Sequence, residues 1–534
     1  MPARTGSGPS MPRRTLLRRL GLGGAAAAVA GGLGTSGCTL VARQVGDAGG
    51  GRQRGGSMVV AQVDDLNFAT FRQQNTPNFS WQRLAFNTLT EYDHATLTPR
   101  PSLATDWEVR DAGRTIVFRL RDDVRFHSGR PFGPRDVVEN IRWQASEEGA
   151  PGQLRSTAAA VTDASATGPA EVTLRLAHGV SNFFDLCEIM FIADHETFAE
   201  VQTGQQLNGT GPFVFEDYSP GVSLSFRRNP DYFKAGRPFL DEVEIRIVGE
   251  QQAIVAALQS GQTHLGFQLN GNHLHNVRAD DRLAVHELDT NDYGHYVGCN
   301  INVEPLGDRR VRQAIAYAVD RDKLLRMVVD TVGRAASSPW TPSNPAYDRD
   351  AATRYHHDPD RARALLREAG VAGASLDLAI RSSEPGGDRS TAEVVQDGLR
   401  AVGLDVEIVV FQPADFQTRL GTANLPGLWV AGHGFGQLNP ATLLNGAFPF
   451  NANANASNFV SERYQRLADR AWKATDEAEA AQVYADVTQL LLEEQFVIDL
   501  LSSSQSFVLS DSLRDINYTM FNNLDLDDAY LAEG

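Results

Sequence analysis

The stretch NGTGPFVFEDYSPGVSLSFRRNPDYF, residues 208–233, decides the fold that this sequence predicts. Gly209, Gly211 and Pro212 interrupt the chain, and apolar residues then alternate with polar ones on both sides of a Ser-Pro-Gly turn at 219–221. Such alternation is typical of half-buried strands, and a Ser-Pro-Gly sequence is typical of a tight turn. The stretch therefore predicts a β-hairpin that leaves a glycine-rich corner.

The composition indicates a large acidic protein that is built from more than one lobe. The chain has 534 residues, of which 42% are hydrophobic, and a formal net charge of -17 at pH 7. A chain of this length exceeds the size of a single hydrophobic core, so we expect at least two lobes. The negative charge repels phosphate, which argues against nucleic acid as a partner.

The first 37 residues are predicted to form an export signal instead of part of the fold. Arginine pairs at 13–14 and 18–19 precede an apolar run at 20–34 that is rich in glycine and alanine. The run is too short and too weakly apolar to remain in a membrane as a spanning helix, and the pattern is typical of a signal peptide. The first pair resembles a twin-arginine signal, with the general secretory route as the alternative.

Cys38 is predicted to carry a lipid anchor. It follows the small residues Thr-Ser-Gly at 35–37, which resemble the processing site of a lipoprotein, and an ordinary signal cleaved nearby is the alternative. Two or three acyl chains are enough to anchor a protein stably. We therefore expect an exported protein on the extracytoplasmic or periplasmic side of the cell membrane, attached through a flexible glycine-rich tether at 38–57.

The densest set of motifs lies between residues 101 and 138. It reads PSLATDW at 101–107, FRLRDDVRFHSGRPF at 118–132 and DVV at 136–138. Together with GTGPF at 209–213, this block closely resembles the extracytoplasmic solute-binding proteins of the peptide/nickel class, family 5, of ABC importers. The two remaining cysteines do not refine this interpretation, since a single pair could form a disulfide or stay as buried thiols.

The resemblance extends over nearly all of the chain from Met58 to Gly534, and it implies both a fold and a function. The implied fold is α/β, a two-lobed periplasmic-binding-protein type II (Venus-flytrap) with an extra subdomain and mixed sheets flanked by helices. The implied function is capture of a peptide or peptide-like solute in the cleft between the lobes, and delivery to the permease and ATPase subunits of an importer. We expect a monomer without cofactor and without enzymatic activity.

The resemblance also implies the domain boundaries. Residues 309–325, RRVRQAIAYAVDRDKLL, closely resemble the opening of the family's third subdomain, and the clearest strand–helix–strand pattern follows at 376–410. This pattern predicts a pair of parallel strands with a crossover helix. The predicted domains are the main subdomain of lobe 1 at 58–95, 209–298 and 497–534, the small subdomain of lobe 1 at 96–208, and lobe 2 at 299–496.

Catalytic and metal-binding patterns are incomplete. His195 and Glu196 begin like a zinc-protease motif, but Ala199 stands where the second histidine is needed. His127 lies in a predicted turn with no nucleophile or acidic partner beside it, so we expect a structural role. We predict no catalytic site and no metal site, with a secreted hydrolase that uses His127 or His433 as the rival hypothesis.

A departure from the family pattern falls at residues 428–433, LWVAGH. The resemblance implies that an aspartate after the aromatic residue holds the α-ammonium group of a peptide, whereas His433 takes that place here. A neutral histidine lacks the negative charge, so an oligosaccharide, a modified peptide or a metal chelate gains weight as the ligand. The predicted ligand contacts are Trp429, His433, Phe435, Trp340, Asn300 and Phe68.

Overall fold

The structure of the protein is a computed structural model. It describes residues 52–72, 76–93, 96–146, 154–269, 271–288, 293–328, 333–382, 387–434, 436 and 439–532. The predicted export signal, the lipidation site Cys38, most of the tether and the predicted ligand contact Phe435 lie outside these described residues. Over the described part of the chain, the helices are too short or too polar to cross a bilayer.

Strands form the framework of the fold. The strands of the first half of the chain are β1 (Ser57–Gln62), β2 (Thr90–Tyr92), β3 (Pro99–Pro101), β4 (Ala104–Arg110), β5 (Thr115–Leu120), β6 (Val161–Gly168), β7 (Glu171–Leu176), β8 (Phe213–Ser219), β9 (Ser223–Arg228), β10 (Glu242–Ile247), β11 (Leu265–Gly266) and β12 (Leu283–Glu287). Those that follow are β13 (Tyr293–Cys299), β14 (Gly333–Ala335), β15 (Ser375–Arg381), β16 (Asp405–Phe411), β17 (Leu428–His433), β18 (Val497–Ser503), β19 (Ser506–Ser510), β20 (Leu513–Arg514), β21 (Asn517–Tyr518), β22 (Leu524–Asp525) and β23 (Tyr530–Leu531).

Helices connect the strands and cover the sheets. Short 3-10 turns lie at Phe68–Thr70 and Thr76–Asn78. The α-helices are α1 (Gln82–Ala85), α2 (Pro134–Ala145), α3 (Arg155–Ala159), α4 (Phe183–Ile189), α5 (Phe198–Thr203), α6 (Gln251–Gln259), α7 (Gly271–Val277), α8 (Arg309–Ala318), α9 (Arg321–Val328), α10 (Arg349–Ala352), α11 (Pro359–Ala369), α12 (Gly387–Ala401), α13 (Pro413–Gly421), α14 (Pro440–Gly446), α15 (Glu462–Lys473) and α16 (Glu477–Glu494).

The predicted hairpin at 208–233 is confirmed as part of the largest sheet. Among the described residues this sheet has seven strands in the order β12-β19-β11-β1-β10-β9-β8. β8 and β9 pair antiparallel, with Phe213 opposite Arg228. The apolar side chains of β9 and β10 alternate into one buried core, which includes Phe226 and Ile245. The hairpin thus extends a sheet whose centre is the parallel pair β1 and β10.

The glycine corner before the hairpin lies against the backbone of helix α1. The N–H of Gly211 donates to the carbonyl of Ala85 at 2.9 Å. A Cβ atom at Gly209 would lie 2.0 Å from the same oxygen, so only glycine permits this close approach. The ring nitrogens of His127 lie 3.3 Å and 3.1 Å from the carbonyl oxygens of Leu207 and Gly211. His127 therefore ties the small subdomain to this corner.

A four-stranded antiparallel sheet, in the order β4-β5-β7-β6, forms a separate small core. The rings of Trp107 and Phe118 lie 6.3 Å apart on adjacent strands of this sheet. Helix α2 begins where the carboxylate of Asp136 accepts a hydrogen bond from the N–H of Gly133 at 3.0 Å. The motifs of the 101–138 block therefore serve packing and helix capping. We call the part with this sheet and the seven-stranded sheet the first lobe.

The second lobe is built on a six-stranded sheet in the order β14-β18-β13-β17-β15-β16, counted over the described residues. β15 and β16 pair in parallel on either side of α12, which confirms the strand–helix–strand prediction at 376–410. β17 and β18 run in the same direction, whereas β13 and β14 run against them. Separate apolar clusters cover the two faces of this sheet.

The pairing of two strands departs from the predicted domain boundaries. β13 and β18 pair with each other in the sheet of the second lobe, although the boundaries place almost all of both in lobe 1. Each of these strands lies next to a crossing between the lobes. The alternation of apolar and polar residues predicts a strand there, but it does not indicate to which lobe the strand belongs. At the end of the predicted tether, Arg52 forms ion pairs with Asp515 and Asp528 at 3.0 Å and 2.8 Å. A free tether would therefore end before Arg52.

Candidate functional site

One edge of the six-stranded sheet collects polar residues at the ends of its strands. The parallel strands β15, β16, β17 and β18 end there, at Arg381, Phe411, His433 and Ser503, and β13 begins there at Tyr293. Open α/β sheets bind ligands outside the carboxyl ends of their strands. We call this set of strand ends in the second lobe the second edge, and it is a candidate ligand site.

The two crossings between the lobes join this edge to the corresponding edge of the seven-stranded sheet. In that sheet β1, β10, β11 and β12 run in one direction and β19 runs against them. One crossing leads from the end of β12 at Glu287 to Tyr293, and the other leads from Ser503 to the start of β19 at Ser506. The carboxyl edges of both sheets are therefore held next to each other, and the gap between them is the candidate site.

On one face of the second edge lie Tyr293 and His295. Their rings are 4.9 Å apart and nearly perpendicular. Nε2 of His295 lies 3.0 Å from the hydroxyl oxygen of Ser503. A Cβ atom at Gly432 would lie 2.3 Å from the Tyr293 ring, so glycine lets the ring approach. Burial, helped by His433, lowers the pKa of His295 to about 4, and this imidazole is therefore neutral at pH 7.

The opposite face of the second edge encloses His433. Gly294 on β13 pairs with His433. A Cβ atom at Gly294 would lie 2.7 Å from Nε2 of His433. The carboxylate of Asp499 lies 3.9 Å from the same nitrogen. The ring centroids of Tyr296 and Phe450 lie 5.9 Å and 5.3 Å from the centroid of the His433 ring. Burial raises the pKa of Asp499 more than His433 lowers it. A carboxylate is thus present behind His433, but it is enclosed.

Charged groups of opposite sign lie at the two edges. Arg381 donates through Nε to Asp388 at 2.9 Å and keeps 36% of its side chain exposed. On the first lobe, Asp64 and Asp65 follow β1 and are exposed. Asp65 accepts a hydrogen bond from the hydroxyl of Tyr218 at 3.0 Å. The two edges therefore carry a guanidinium on the second lobe, carboxylates on the first lobe, and imidazole and phenol groups.

Two of the predicted ligand contacts, Trp429 and Trp340, are buried in one core cluster. A Cβ atom at Gly298 would lie 2.1 Å from the ring of Trp429, which packs flat over that glycine. Trp340 donates from Nε1 to the hydroxyl of Thr488 at 2.8 Å. Tyr296, which lies beside His433, belongs to the same cluster. The structure thus places both tryptophans in the core.

Phe68 lies apart from that cluster, whereas Asn300 contacts it through Leu425. Asn300 donates through Nδ2 to the carbonyl of Leu425 at 2.8 Å, and it is buried. Phe68 packs in the first lobe between Trp81 and Tyr218, with ring separations of 5.1 Å and 4.8 Å. The predicted contacts are therefore not all assembled in one place, and their contact with a ligand stays a prediction.

Three residues at the two edges were not among the predicted ligand contacts, although their positions in the sequence are distinctive. Tyr293, Arg381 and Asp64 each stand at or just beyond the end of an alternating run. Polar or aromatic side chains in such positions lie at a sheet edge, where loops and ligands meet. Alternation alone predicts the strands, whereas their end residues indicate a site only when they are taken as a set.

A separate cavity of about 510 Å³ lies within the second lobe. It lies between the segment 345–354 and helix α16, with Tyr347, Arg354, Tyr484 and Gln489 in its wall. All of its wall residues belong to the second lobe. This cavity is therefore distinct from the gap between the edges, and strand geometry favours the gap as the ligand site.

The incomplete zinc pattern at His195 is part of an ion-pair cluster. Ligand atoms of Asp136, Asp194 and His195 lie within 4.8 Å of one another. Arg130 donates to both carboxylates, at 2.6 Å to Asp194, and Nδ1 of His195 lies 2.7 Å from Asp136. The guanidinium already supplies the positive charge that a metal ion would bring, so this cluster fits a structural role better than metal binding.

Comparison with known proteins gives the family. The family model described as "Bacterial extracellular solute-binding proteins, family 5 Middle" matches residues 98–455. Among curated proteins, the chain is 27% identical over 445 residues to di/tripeptide-binding protein 2 of Pseudomonas aeruginosa (strain UCBPP-PA14). That match covers 77% of this chain and 82% of the relative.

Solved structures share the fold. The ABC transporter-associated periplasmic binding protein DppA from Helicobacter pylori, in complex with the peptide STSA, has a TM-score of 0.77 at 19% identity and covers 90% of this chain and 99% of its own. NikZ from Campylobacter jejuni, in complex with Ni(L-His), has a TM-score of 0.76 at 18% identity and covers 88% and 97%. The predicted fold class, a two-lobed α/β protein with mixed sheets flanked by helices, is confirmed. Since one relative holds a peptide and the other a metal chelate, the fold alone does not identify a ligand.

The family match includes parts of both lobes. It begins just before β3 in the first lobe and ends after α14 in the second. The matched relatives are solute-binding proteins, so the expectation that this protein is not an enzyme is confirmed. The chain therefore belongs to family 5 of the bacterial extracellular solute-binding proteins, the class that serves ABC importers.

Proposed function

We propose that this protein is an exported lipoprotein that captures a peptide or peptide-like solute and delivers it to the permease and ATPase subunits of an ABC importer. The observation that carries the proposal is the arrangement of strands at Tyr293 and Ser503, where both crossings join the carboxyl edges of the two sheets. A solute in the gap would contact both lobes. Closure is then favoured by the difference between its affinities for the closed and open forms.

The groups at the two edges support a small ligand that carries charges of both signs. The exposed carboxylates of Asp64 and Asp65 attract a cationic group, and Arg381 offers a planar guanidinium to a carboxylate. A short peptide with free termini carries both groups. The names of the relatives from Pseudomonas aeruginosa and Helicobacter pylori, which bind di- or tripeptides and a peptide, agree with this choice.

A metal chelate or an oligosaccharide is the second candidate. The neutral imidazole of His295 lies at the second edge, and the carboxylate of Asp499 is enclosed behind His433 with only 6% of its side chain exposed. At His433, where the family resemblance implies an aspartate that binds an ammonium group, no described carboxylate is therefore exposed. Such an edge suits a ligand that is bound by neutral donors and by stacking.

Calorimetric titration of the purified protein tests these alternatives. The ligand panel is a dipeptide, a tripeptide, the same tripeptide N-acetylated, a maltooligosaccharide and Ni(L-His), after mass spectrometry of any compound that co-purifies. We expect saturable one-to-one binding of a peptide without turnover. Arg381→Ala should weaken it about tenfold or more, because a charge-assisted hydrogen bond is lost. Arg389→Ala, a change in an exposed α12 residue that pairs with Glu393, is the matched control.

The outcomes of the titration separate the candidates clearly. Binding of the chelate or the oligosaccharide alone would replace the peptide as the solute. Equal loss of affinity in the two arginine variants would move the site away from the second edge. Hydrolysis of a peptide by the protein would contradict the assignment as a binding protein.

The lipid anchor has its own test. We expect that wild-type protein expressed in an exporting host fractionates with membranes, and that Cys38→Ser moves it to the soluble extracytoplasmic fraction, because the acylated thiol is lost. Cys187→Ser is the control, since that thiol is buried in the first lobe. A mature N-terminus other than residue 38, found by mass spectrometry of the wild type, would refute the anchor.

A further inference from the structure

Helix α4 touches three parts of the molecule. Asp185 and Glu188 are three residues apart and therefore lie on the same side of this helix. Glu188 accepts a hydrogen bond from Nη2 of Arg83 at 2.6 Å, and Arg83 lies on α1 in the main part of the first lobe. Asp185 instead meets the second lobe. The helix thus lies where the small subdomain, helix α1 of the main part of the first lobe and the second lobe meet.

The carboxylate of Asp185 accepts three hydrogen bonds. Its Oδ2 accepts from the backbone N–H of Asn439 and from the hydroxyl of Thr442, both at 2.9 Å. Its Oδ1 accepts from the hydroxyl of Tyr92, also at 2.9 Å. The first two donors flank the start of helix α14 in the second lobe, so a side chain of the small subdomain caps a segment that belongs to the other lobe.

The residues just before α4 add further bonds to the second lobe. The N–H of Ser181 donates to the carbonyl of Trp472 at 2.8 Å, and its hydroxyl donates to the carbonyl of Ala471 at 2.9 Å. Asn182 donates through Nδ2 to the hydroxyl oxygen of Thr442 at 2.8 Å. Thr442 therefore accepts from Asn182 while it donates to Asp185, and these three side chains are almost fully buried.

We propose that this contact is a latch between the lobes that stabilises the closed form. Segment 181–185 belongs to the small subdomain, and the partners between Asn439 and Trp472 belong to the second lobe. Movement of the lobes away from each other breaks these hydrogen bonds together, and each buried donor or acceptor must then find water. The latch biases closure through residues other than those we place at the edges. It therefore does not depend on which solute the protein binds.

The ionisation of Asp185 couples the latch to pH. Burial raises the pKa of Asp185 to about 6, although the bonds from Asn439, Tyr92 and Thr442 act in the opposite direction. Other titratable groups that face it are Cys187 and Glu188 on α4, Tyr92 on β2, and Tyr484 on α16. Glu188 keeps its Arg83 contact within the first lobe, so opening of the latch leaves that contact in place.

The sign of the pH effect follows from the two pKa values. In an open form Asp185 meets water and has its ordinary pKa near 3.9. The closed form then binds the proton more tightly than the open form, so acid favours closure. The ratio of closed to open protein is constant above about pH 7, rises as the pH falls through 6, and levels off below about pH 3. Between pH 7 and pH 5 the expected rise is about tenfold.

Thr442→Val tests the latch, because it removes the hydroxyl that bridges Asn182 and Asp185 while it keeps the shape. The control is Thr418→Val on the exposed helix α13, whose hydroxyl donates to the carbonyl of Ala414 at 2.8 Å. Hydrogen exchange of the full ligand-free protein at the N–H groups of Ser181 and Asn439 reports latch opening. We expect about tenfold less protection in Thr442→Val and no change in the control.

Small-angle X-ray scattering of the same samples separates a latch from a local contact. A latch predicts that the radius of gyration increases in Thr442→Val along with the loss of protection. Loss of protection at an unchanged radius of gyration would reduce the contact to a local one and overturn the proposal. Equal protection from hydrogen exchange in Thr442→Val and Thr418→Val would also overturn the latch proposal.

Asp185→Asn keeps the test valid even if Thr442→Val fails to fold. The amide keeps the shape of the carboxyl group and can accept from Asn439 and Thr442, but it does not titrate. After correction for the intrinsic exchange rate, wild-type protection should rise about tenfold between pH 7 and pH 5, and that of the variant should stay flat. A flat wild-type profile, or the same rise in both proteins, would contradict the role of Asp185. No ligand enters these experiments, so their failure is distinct from failure of the binding test.

Discussion

Gly211→Ala is expected to lower the free energy of unfolding by about 3 kcal/mol or more, which is the upper range for steric overpacking in a fixed backbone. A Cβ atom at Gly211 would lie 2.4 Å from the carbonyl oxygen of Leu84 and 2.5 Å from the carbonyl carbon of Ala85. These are backbone atoms of α1 and cannot rotate away. The N–H of Gly211 is hydrogen bonded to Ala85, so the corner itself is also held in place.

Urea unfolding monitored by circular dichroism measures this effect. Gly421→Ala is the matched control, because Gly421 ends helix α13 and a Cβ atom there meets nothing within 4 Å. Alanine is favoured over glycine in helices, so this control should be neutral or slightly stabilising. If both variants unfold at the same urea concentration as the wild type, the corner does not pack tightly against α1.

The corner also shows which features the sequence could predict. The alternation after Pro212 and the turn at 219–221 are local signals, and the hairpin that they predict is confirmed. The reason for glycine at 209 and 211 is a contact with α1, which lies far earlier in the chain. That contact depends on the tertiary fold, and no local pattern carries it.

Helix boundaries, like the hairpin, were predictable because their sequence signals are local. Asp358, Pro359 and Gly370 bracket α11, and in the structure Asp358 accepts a hydrogen bond from the N–H of Arg361 while Gly370 adopts the left-handed conformation. These signals act within one turn of helix. Strand pairing is a longer-range choice, and β18 accordingly lies in a different sheet from the one that the predicted boundaries imply.

The candidate site was predictable only in part, because exposure depends on which face of a sheet a residue occupies. Trp429 and His433 were selected for their chemistry, and the register with β13 places them over Gly298 and Gly294, where both are enclosed. Arg381 was missed although it ends the well-predicted strand β15. A search for polar residues at the carboxyl ends of parallel strands would have found it.

The position of β18 beside the second edge depends on a buried cation. Arg321 is 4% exposed, and its guanidinium donates to the carbonyl oxygens of Ala316, Ala336, Tyr355 and Asp499 at distances of 2.8 to 3.1 Å. Burial lowers the pKa of Arg321 to about 10, so the group stays charged at pH 7. One side chain thus links the start of α9 to β18, the strand that leads into the second crossing between the lobes.

Arg321→Met is expected to cost about 4 kcal/mol of unfolding free energy, because it leaves these buried carbonyl groups without their charged donor, at roughly 1–3 kcal/mol for each unsatisfied group before relaxation. Arg321→Lys should be intermediate, since an ammonium group has fewer donors and no planar fork. Arg310→Met is the control: this side chain is 45% exposed and pairs with Asp308, so its loss should destabilise the protein far less than the loss of Arg321. Thermal and urea unfolding of the three variants measure the differences. A lysine variant as stable as the wild type would show that a single positive charge suffices and that the fork geometry of Arg321 does not hold β18.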